Sequence, residues 1–271
     1  MLRWWKRLRG TSAARAIPDA LWQSTLRDFP FLARHGDPSL GTLHALASGF
    51  LQHKEFQAAG GLAITDAMGV AIAAQACLPL VGIRGPYRGL AWYADFVGIV
   101  VHPGAVLARR ETVDDAGVVH QWQEELSGEA MELGPVTLSW ADVAEAGQTA
   151  ADGYNVVIHE FVHKIDMRDG MPDGCPPLPA GFMGATSVRL AREAWRGRLQ
   201  ASYDDFCDKL SLAQRFGGAP VWLDPYAAVS IDEFFAVASE AYFVNPASFA
   251  RDFAPLVAMF DAWWGAFTPA A

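Results

Sequence analysis

Residues 155–167 read NVVIHEFVHKIDM, and two of the chain's seven histidines fall in this run, four positions apart. On an α-helix, positions i and i+4 stand one above the other on the same face. His159 and His163 therefore project two imidazoles toward one point, as two ligands of a tetrahedral Zn²⁺ require. Glu160 is displaced about 100° around the helix. That suits a base near the metal better than an equal third ligand, because water attacking a carbonyl must lose a proton. Val156, Val157, Ile158, Phe161, Val162 and Ile165 make the helix apolar on most sides. Two imidazoles and a carboxylate in such a helix need partners, and a metal satisfies both rings at once.

A catalytic zinc site needs a third protein ligand and an open fourth position. The extended metzincin pattern would put a glycine at position 166 and a histidine at position 169, where this chain has Asp166 and Asp169. Asp169 is left as a carboxylate candidate. A second set lies in YAAVSIDEFFAVASEAYF, residues 226–243, where Glu233 and Glu240 are seven apart and share a helix face. Spacing does not choose between them. Asp232, in the expected first turn, reads as a dipole partner or cap.

Outward from this centre, the chain of 271 residues is 52% hydrophobic and 12% aromatic, a composition of ordered globular proteins. Lys and Arg number 21 against 30 Asp and Glu, a net charge of −9 that disfavours direct nucleic-acid binding. Cys77, Cys175 and Cys207 are odd in number and widely spread, so free thiols in a reducing cytoplasm are expected. The opening MLRWWKRLRG is basic but has no signal-peptide core, and residues 1–19 are expected to be a flexible terminus. The most apolar window, residues 67–83, is interrupted by Gln75 and Pro79 and reads as a buried helix with its exit loop. Thr65 or Asp66 can cap that helix. No membrane association is expected.

The pattern predicts an α+β fold. The first hundred residues look mainly helical, including SLGTLHALASGFLQHKEFQ. DFVGIVV (95–101) and AVLAR (105–109), separated by HPG, suggest a hairpin, and 118–126 another strand. GPVTLSW (134–140) reads as an edge strand because of Pro135. Helices are expected from Ser139 onward, over the quoted stretch, and over roughly 187–212, 230–244 and 247–267. Residues 168–185 are dense in Gly and Pro and form a long irregular loop of the kind that is often functional. One domain over 20–267 accounts for these elements, with a helical N-terminal region over about 20–80.

Several blocks in this order resemble the family of Mlc titration factor A, bacterial zinc peptidases related in fold to the catalytic domain of anthrax lethal factor. They are IAAQACLPL (72–80), ELSGEA (125–130), GPVTLSW (134–140), DGYNVVIHEFVHKIDMRDG (152–170) and EFFAVASEAYF (233–243), within a resemblance covering about 20–265. The resemblance implies a zincin-like gluzincin with a small mixed sheet, an active-site helix and additional N- and C-terminal helices. It implies one Zn²⁺ held by His159, His163 and Glu233, with Glu160 as general base. Glu240 then orients an imidazole, and Tyr226 assists the oxyanion. It further implies aminopeptidase-like cleavage of a peptide substrate, paired as a strand along GPVTLSW. Regulation of sugar uptake through a bound transcription repressor is also implied. The competing readings are a protein that sequesters a repressor, with catalysis incidental, and a structural zinc site completed by Asp169. Glu124, Glu125 and Glu129 are candidates for holding a substrate's α-ammonium, although a solvated acidic stretch explains them as well.

Overall fold

The computed structural model describes residues 16–34, 36–113 and 119–266. Helix α1 (Asp19–Asp28) and α2 (Asp37–His53) open the chain, with a 3-10 turn at Pro30–Arg34 between them. Strand β1 (Glu55–Ala58) follows, so the expected helix stops at His53 and KEFQ is extended. Its ladder partner lies some forty residues on, and no local periodicity announces that pairing. Helix α3 (Asp66–Cys77) is buried from Met68 to Cys77. Of its two candidate caps Thr65 does the capping, its side chain accepting from Met68 N–H at 3.2 Å, while Asp66 sits in the first turn.

Next come β2 (Gly98–His102), β3 (Val106–Val113), β4 (Val119–Leu126), β5 (Gly128–Ala130) and β6 (Val136–Ser139). The main sheet has the order β1-β2-β6-β5, with β1, β2 and β6 parallel and β5 antiparallel to β6. Two expectations are corrected here. First, β2 and β3 form no hairpin: β2 lies between β1 and β6, and β3 pairs with β4 in a separate two-stranded sheet. Parallel neighbours need crossover connections, and α3 lies in the one joining β1 to β2. Second, GPVTLSW is not an edge. Pro135 lies just outside β6, so its missing N–H interrupts no ladder bond. The edge on this side of the sheet is β5, in the SGEA segment, and β1 is the opposite edge.

The helices after the sheet are α4 (Trp140–Thr149), α5 (Val156–Asp166), α6 (Val188–Phe216), α7 (Ile231–Val244), α8 (Pro246–Asp252) and α9 (Ala254–Phe260), ending in a π-turn at Asp261–Gly265. The single C-terminal helix expected over 247–267 is thus broken at Phe253, where Pro255 cannot donate and restricts the residue before it. Buried apolar residues form one cluster that runs in sequence from Ile17 to Trp264. Helix α5 lies in its middle: Phe161 packs on Phe50, Tyr93 and Phe96, with ring centroids 4.9–5.9 Å apart. The fold is therefore α+β, with a four-stranded main sheet and helices supplying most of the core. Among the described residues, no helix is long and apolar enough to cross a membrane.

Candidate metal centre

The site is assembled on α5, whose start is fixed by polar contacts inside the core. Asn155 is the N-cap, its Oδ1 accepting from Ile158 N–H at 2.9 Å. Its backbone N–H donates to Glu240 Oε2 at 2.5 Å, and its Nδ2 donates to Gln75 Oε1 at 2.8 Å. One residue thus ties the first turn of α5 to both α7 and α3. At the other end, the buried Lys164 ammonium donates to the carbonyls of Met131 (2.7 Å) and Gly134 (3.2 Å), holding α5 to the turn between β5 and β6.

From that frame His159 and His163 project together, with Nε2 atoms 3.2 Å apart. Glu233, in the first turn of α7, brings Oε2 to 3.0 Å from His159 Nε2 and 3.2 Å from His163 Nε2. The three side chains are only 12%, 10% and 18% exposed. Donors of a tetrahedral zinc site, each about 2.0–2.1 Å from the ion, lie about 3.3–3.4 Å from one another. The observed triangle is close to that size. Tautomer supports the same reading. Glu240 Oε1 lies 2.6 Å from His159 Nδ1, which fixes that nitrogen as a donor and leaves Nε2, at the shared point, as the one that can exchange its proton for a metal. Among the described residues, His159, His163 and Glu233 are the group of acids and bases close enough to hold one ion.

The two glutamates that spacing left open are distinguished by the ring they share. Glu233 meets His159 at Nε2 and Glu240 meets it at Nδ1, so the pair brackets one imidazole. Asp169 is excluded from the cluster, because it pairs with Arg192 on α6. The structural-zinc alternative therefore loses its proposed fourth ligand.

Charge follows from this packing. Burial pushes the Glu160 carboxyl up to about 7, against the pull of the two imidazoles. Burial would likewise raise Glu233, but hydrogen bonds from His159 and His163 win and hold it far below the usual carboxylate range. At His159, burial opposes protonation, yet the surrounding carboxylates of Glu240, Glu233 and Glu160 outweigh it and raise the ring.

Glu160 points toward β5. A Cβ placed on Gly128 would lie 2.4 Å from Glu160 Oε1 and 2.7 Å from its Cγ, so glycine there makes room for the carboxylate. Tyr226 precedes α7 in a 3-10 turn opened by Asp224, whose Oδ1 accepts from Tyr226 N–H at 2.9 Å. Its hydroxyl donates to Glu233 Oε1 at 3.3 Å, across the mouth of the site.

Two cavities flank the centre. One is lined by Ser127, Gly128, Tyr154, Val156, Asp224 and Val237, and the other by Glu129, Ala130, Glu132, Met171, Pro172 and Asp232. Both also reach His159, Glu160 and Tyr226. Glu129 thus lies on the cleft wall, whereas the side chains of Glu124 and Glu125 lie outside the described residues. Met171 and Pro172 belong to the Gly/Pro-rich loop, which is anchored beneath them. Asp166 Oδ2 accepts from the N–H groups of Asp173 (3.0 Å) and Gly174 (2.7 Å), and Trp195 Nε1 donates to Gly174 O at 2.6 Å. Sequence reasoning missed Gly128, Asn155 and Asp166. The polar Gln75 inside an apolar window was visible but was read only as an interruption.

A family model described as "Glucose-regulated metallo-peptidase M90" matches residues 2–264. The chain belongs to this metallopeptidase family. Similar proteins include Mlc titration factor A from Cronobacter sakazakii, 31% identical over 266 residues that cover 98% of this chain and 92% of the relative. Mlc titration factor A from Salmonella arizonae is 32% identical over 258 residues, covering 94% and 93%. The Yersinia pestis protein of the same name is 32% identical over 248 residues, covering 91% and 83%. A metallopeptidase of the M90 family needs a metal, and the triangle of His159, His163 and Glu233 suits one by donor type, spacing and tautomer.

Proposed function

We propose that the protein is a zinc-dependent, aminopeptidase-like peptidase of the gluzincin class, acting as one catalytic unit over residues 20–267. The observation that carries this reading is the convergence of two imidazole Nε2 atoms and one carboxylate oxygen within 3.0–3.2 Å, beside a buried glutamate. Zinc held by that trio would supply Lewis acidity, polarising a carbonyl and acidifying water.

The chain's own groups then have distinct tasks. The side of β5 away from β6 offers backbone N–H and C=O groups to an extended peptide, which places the scissile bond beside Glu160. Glu160 takes the proton of the attacking water as its oxygen bonds to the carbonyl carbon. The C–N bond breaks, and Glu160 returns the proton to the departing amine. Tyr226 swings its hydroxyl from Glu233 to the developing oxyanion. Glu240 keeps His159 in the tautomer that leaves Nε2 free.

The Glu160→Gln variant tests this reading. It is expected to keep one zinc per chain and the wild-type fold while losing about 10²–10⁴-fold in kcat on peptide substrates. Undiminished turnover with zinc retained would remove Glu160 from the chemistry.

The relatives' name supports a regulatory side. We propose that this protein also engages an Mlc-like transcription repressor in the cytoplasm and so influences sugar uptake. The alternative is that sequestration is the main activity and catalysis incidental. Acidic net charge suits a basic DNA-binding partner. Glu160→Gln separates the two: repressor binding that survives in it, with normal regulation in cells, favours sequestration.

A further inference from the structure

Gln75 is the polar residue least accounted for by the fold. Every residue of α3 from Met68 to Cys77 is buried, and Gln75 is wholly so, among Ala73, Ala74, Ala76 and Cys77. Its amide orientation is dictated from outside. Asn155 Oδ1 must face Ile158 N–H to cap α5, so Asn155 Nδ2 is the atom that reaches Gln75, and Gln75 must present Oε1. Gln75 Nε2 is then left without an acceptor among the described residues. A buried, half-satisfied amide is costly in a helix whose neighbours are apolar. A leucine or methionine would fill the same space without that cost.

What the amide secures is the direction of Asn155, and Asn155 is the start of a chain that ends on the metal centre. The Asn155 backbone N–H holds Glu240 Oε2, and Glu240 Oε1 holds His159 Nδ1. Rotation of the cap would move the N–H that aims Glu240, and with it the imidazole. We propose that Gln75 is a positioning residue for the metal centre, acting on His159 through Asn155 and Glu240. This rests on the zinc reading above.

The test replaces the contact from both ends. Gln75→Met keeps volume and removes the acceptor, Gln75→Glu keeps an acceptor oxygen, and Asn155→Ser keeps a capping oxygen while losing the Nδ2 donor. Zinc affinity of the chelator-stripped protein is measured by competition with a chromogenic chelator, together with the visible spectrum of the cobalt-loaded form. Gln75→Met is expected to bind zinc about 10-fold more weakly, with a displaced cobalt band. Gln75→Glu is expected to recover most of the affinity. Asn155→Ser is expected to match Gln75→Met, and the double variant to lose no more than either alone. Should Gln75→Met fail to fold, Asn155→Ser and Gln75→Glu carry the comparison. Wild-type affinity and spectrum in Asn155→Ser, or additive losses in the double variant, would overturn the inference. If the wild-type protein takes up no zinc, the metallopeptidase reading itself falls, a result distinct from wild-type uptake that is unaltered in the variants.

Discussion

Glu160 depends on an atom that is not there. The missing side chain of Gly128 leaves the space its carboxylate fills, and a methyl group would sit within 2.8 Å of three of its atoms. Gly128→Ala is therefore expected to displace Glu160 while leaving His159, His163 and Glu233 in place. A shift of this kind costs on the order of 10²-fold in kcat. Zinc titration and peptide turnover on the same sample check it, and normal turnover would show that the carboxylate has room elsewhere. At this scale the sequence was most informative where chemistry is local. His159, Glu160 and His163 share one turn of helix, so their relation is set by helix geometry alone. Glu233 and Glu240 lie about 70 residues further on, and spacing placed them on one face without saying which nitrogen each would meet. Gly128 and Gln75 carry no motif, because their importance is a matter of what packs against them.

Among the elements, the loop after α5 shows how a Gly- and Pro-rich segment becomes a cleft wall. Asp166, buried at the end of α5, gathers the Asp173 and Gly174 N–H groups, and Gly174 has a φ of 72° that favours glycine. The exposed pairs of Asp169 and Asp173 with Arg192 and Arg196 add little by comparison. Asp166→Ala should leave the buried Gly174 N–H and the half-buried Asp173 N–H unpaired and destabilise the protein by about 1–3 kcal/mol, most of it from Gly174. It should also raise KM, because Met171 and Pro172 lose their anchor. Urea unfolding and steady-state kinetics test both, and an unchanged KM would separate the loop from substrate binding. The sheet was the least legible level. Helices announced themselves through periodicity and caps, but strand order depends on partners 40 residues apart. The proline rule failed at Pro135 because the proline precedes the strand it was taken to mark.

Across the whole molecule, the N-terminal elements are joined to the site through the core. Helix α3 meets α5 through Gln75, and β1 completes the sheet whose far edge, β5, borders the cleft. Lys54, just before β1, is buried with Nζ donating to the carbonyls of Tyr93 and Phe96. Burial pulls its pKa down from 10.5 to about 8. The unfolded chain therefore binds more protons than the folded one between these values, and this group's contribution to stability rises as pH goes from about 8 to 10.5. Buried Cys77 works the other way, since burial raises its thiol. The sign is therefore read from a difference: between pH 8 and 10, wild type should gain stability relative to Lys54→Met in urea unfolding. Parallel curves would mean that Lys54 titrates normally.

The three donors that meet between α5 and α7 carry the proposed chemistry. An anomalous difference map, recorded at the zinc absorption edge from crystals of zinc-loaded protein, examines them directly. One peak is expected per chain, about 2.0–2.2 Å from His159 Nε2, His163 Nε2 and a Glu233 oxygen. A peak at other side chains, or none between these three, would contradict it.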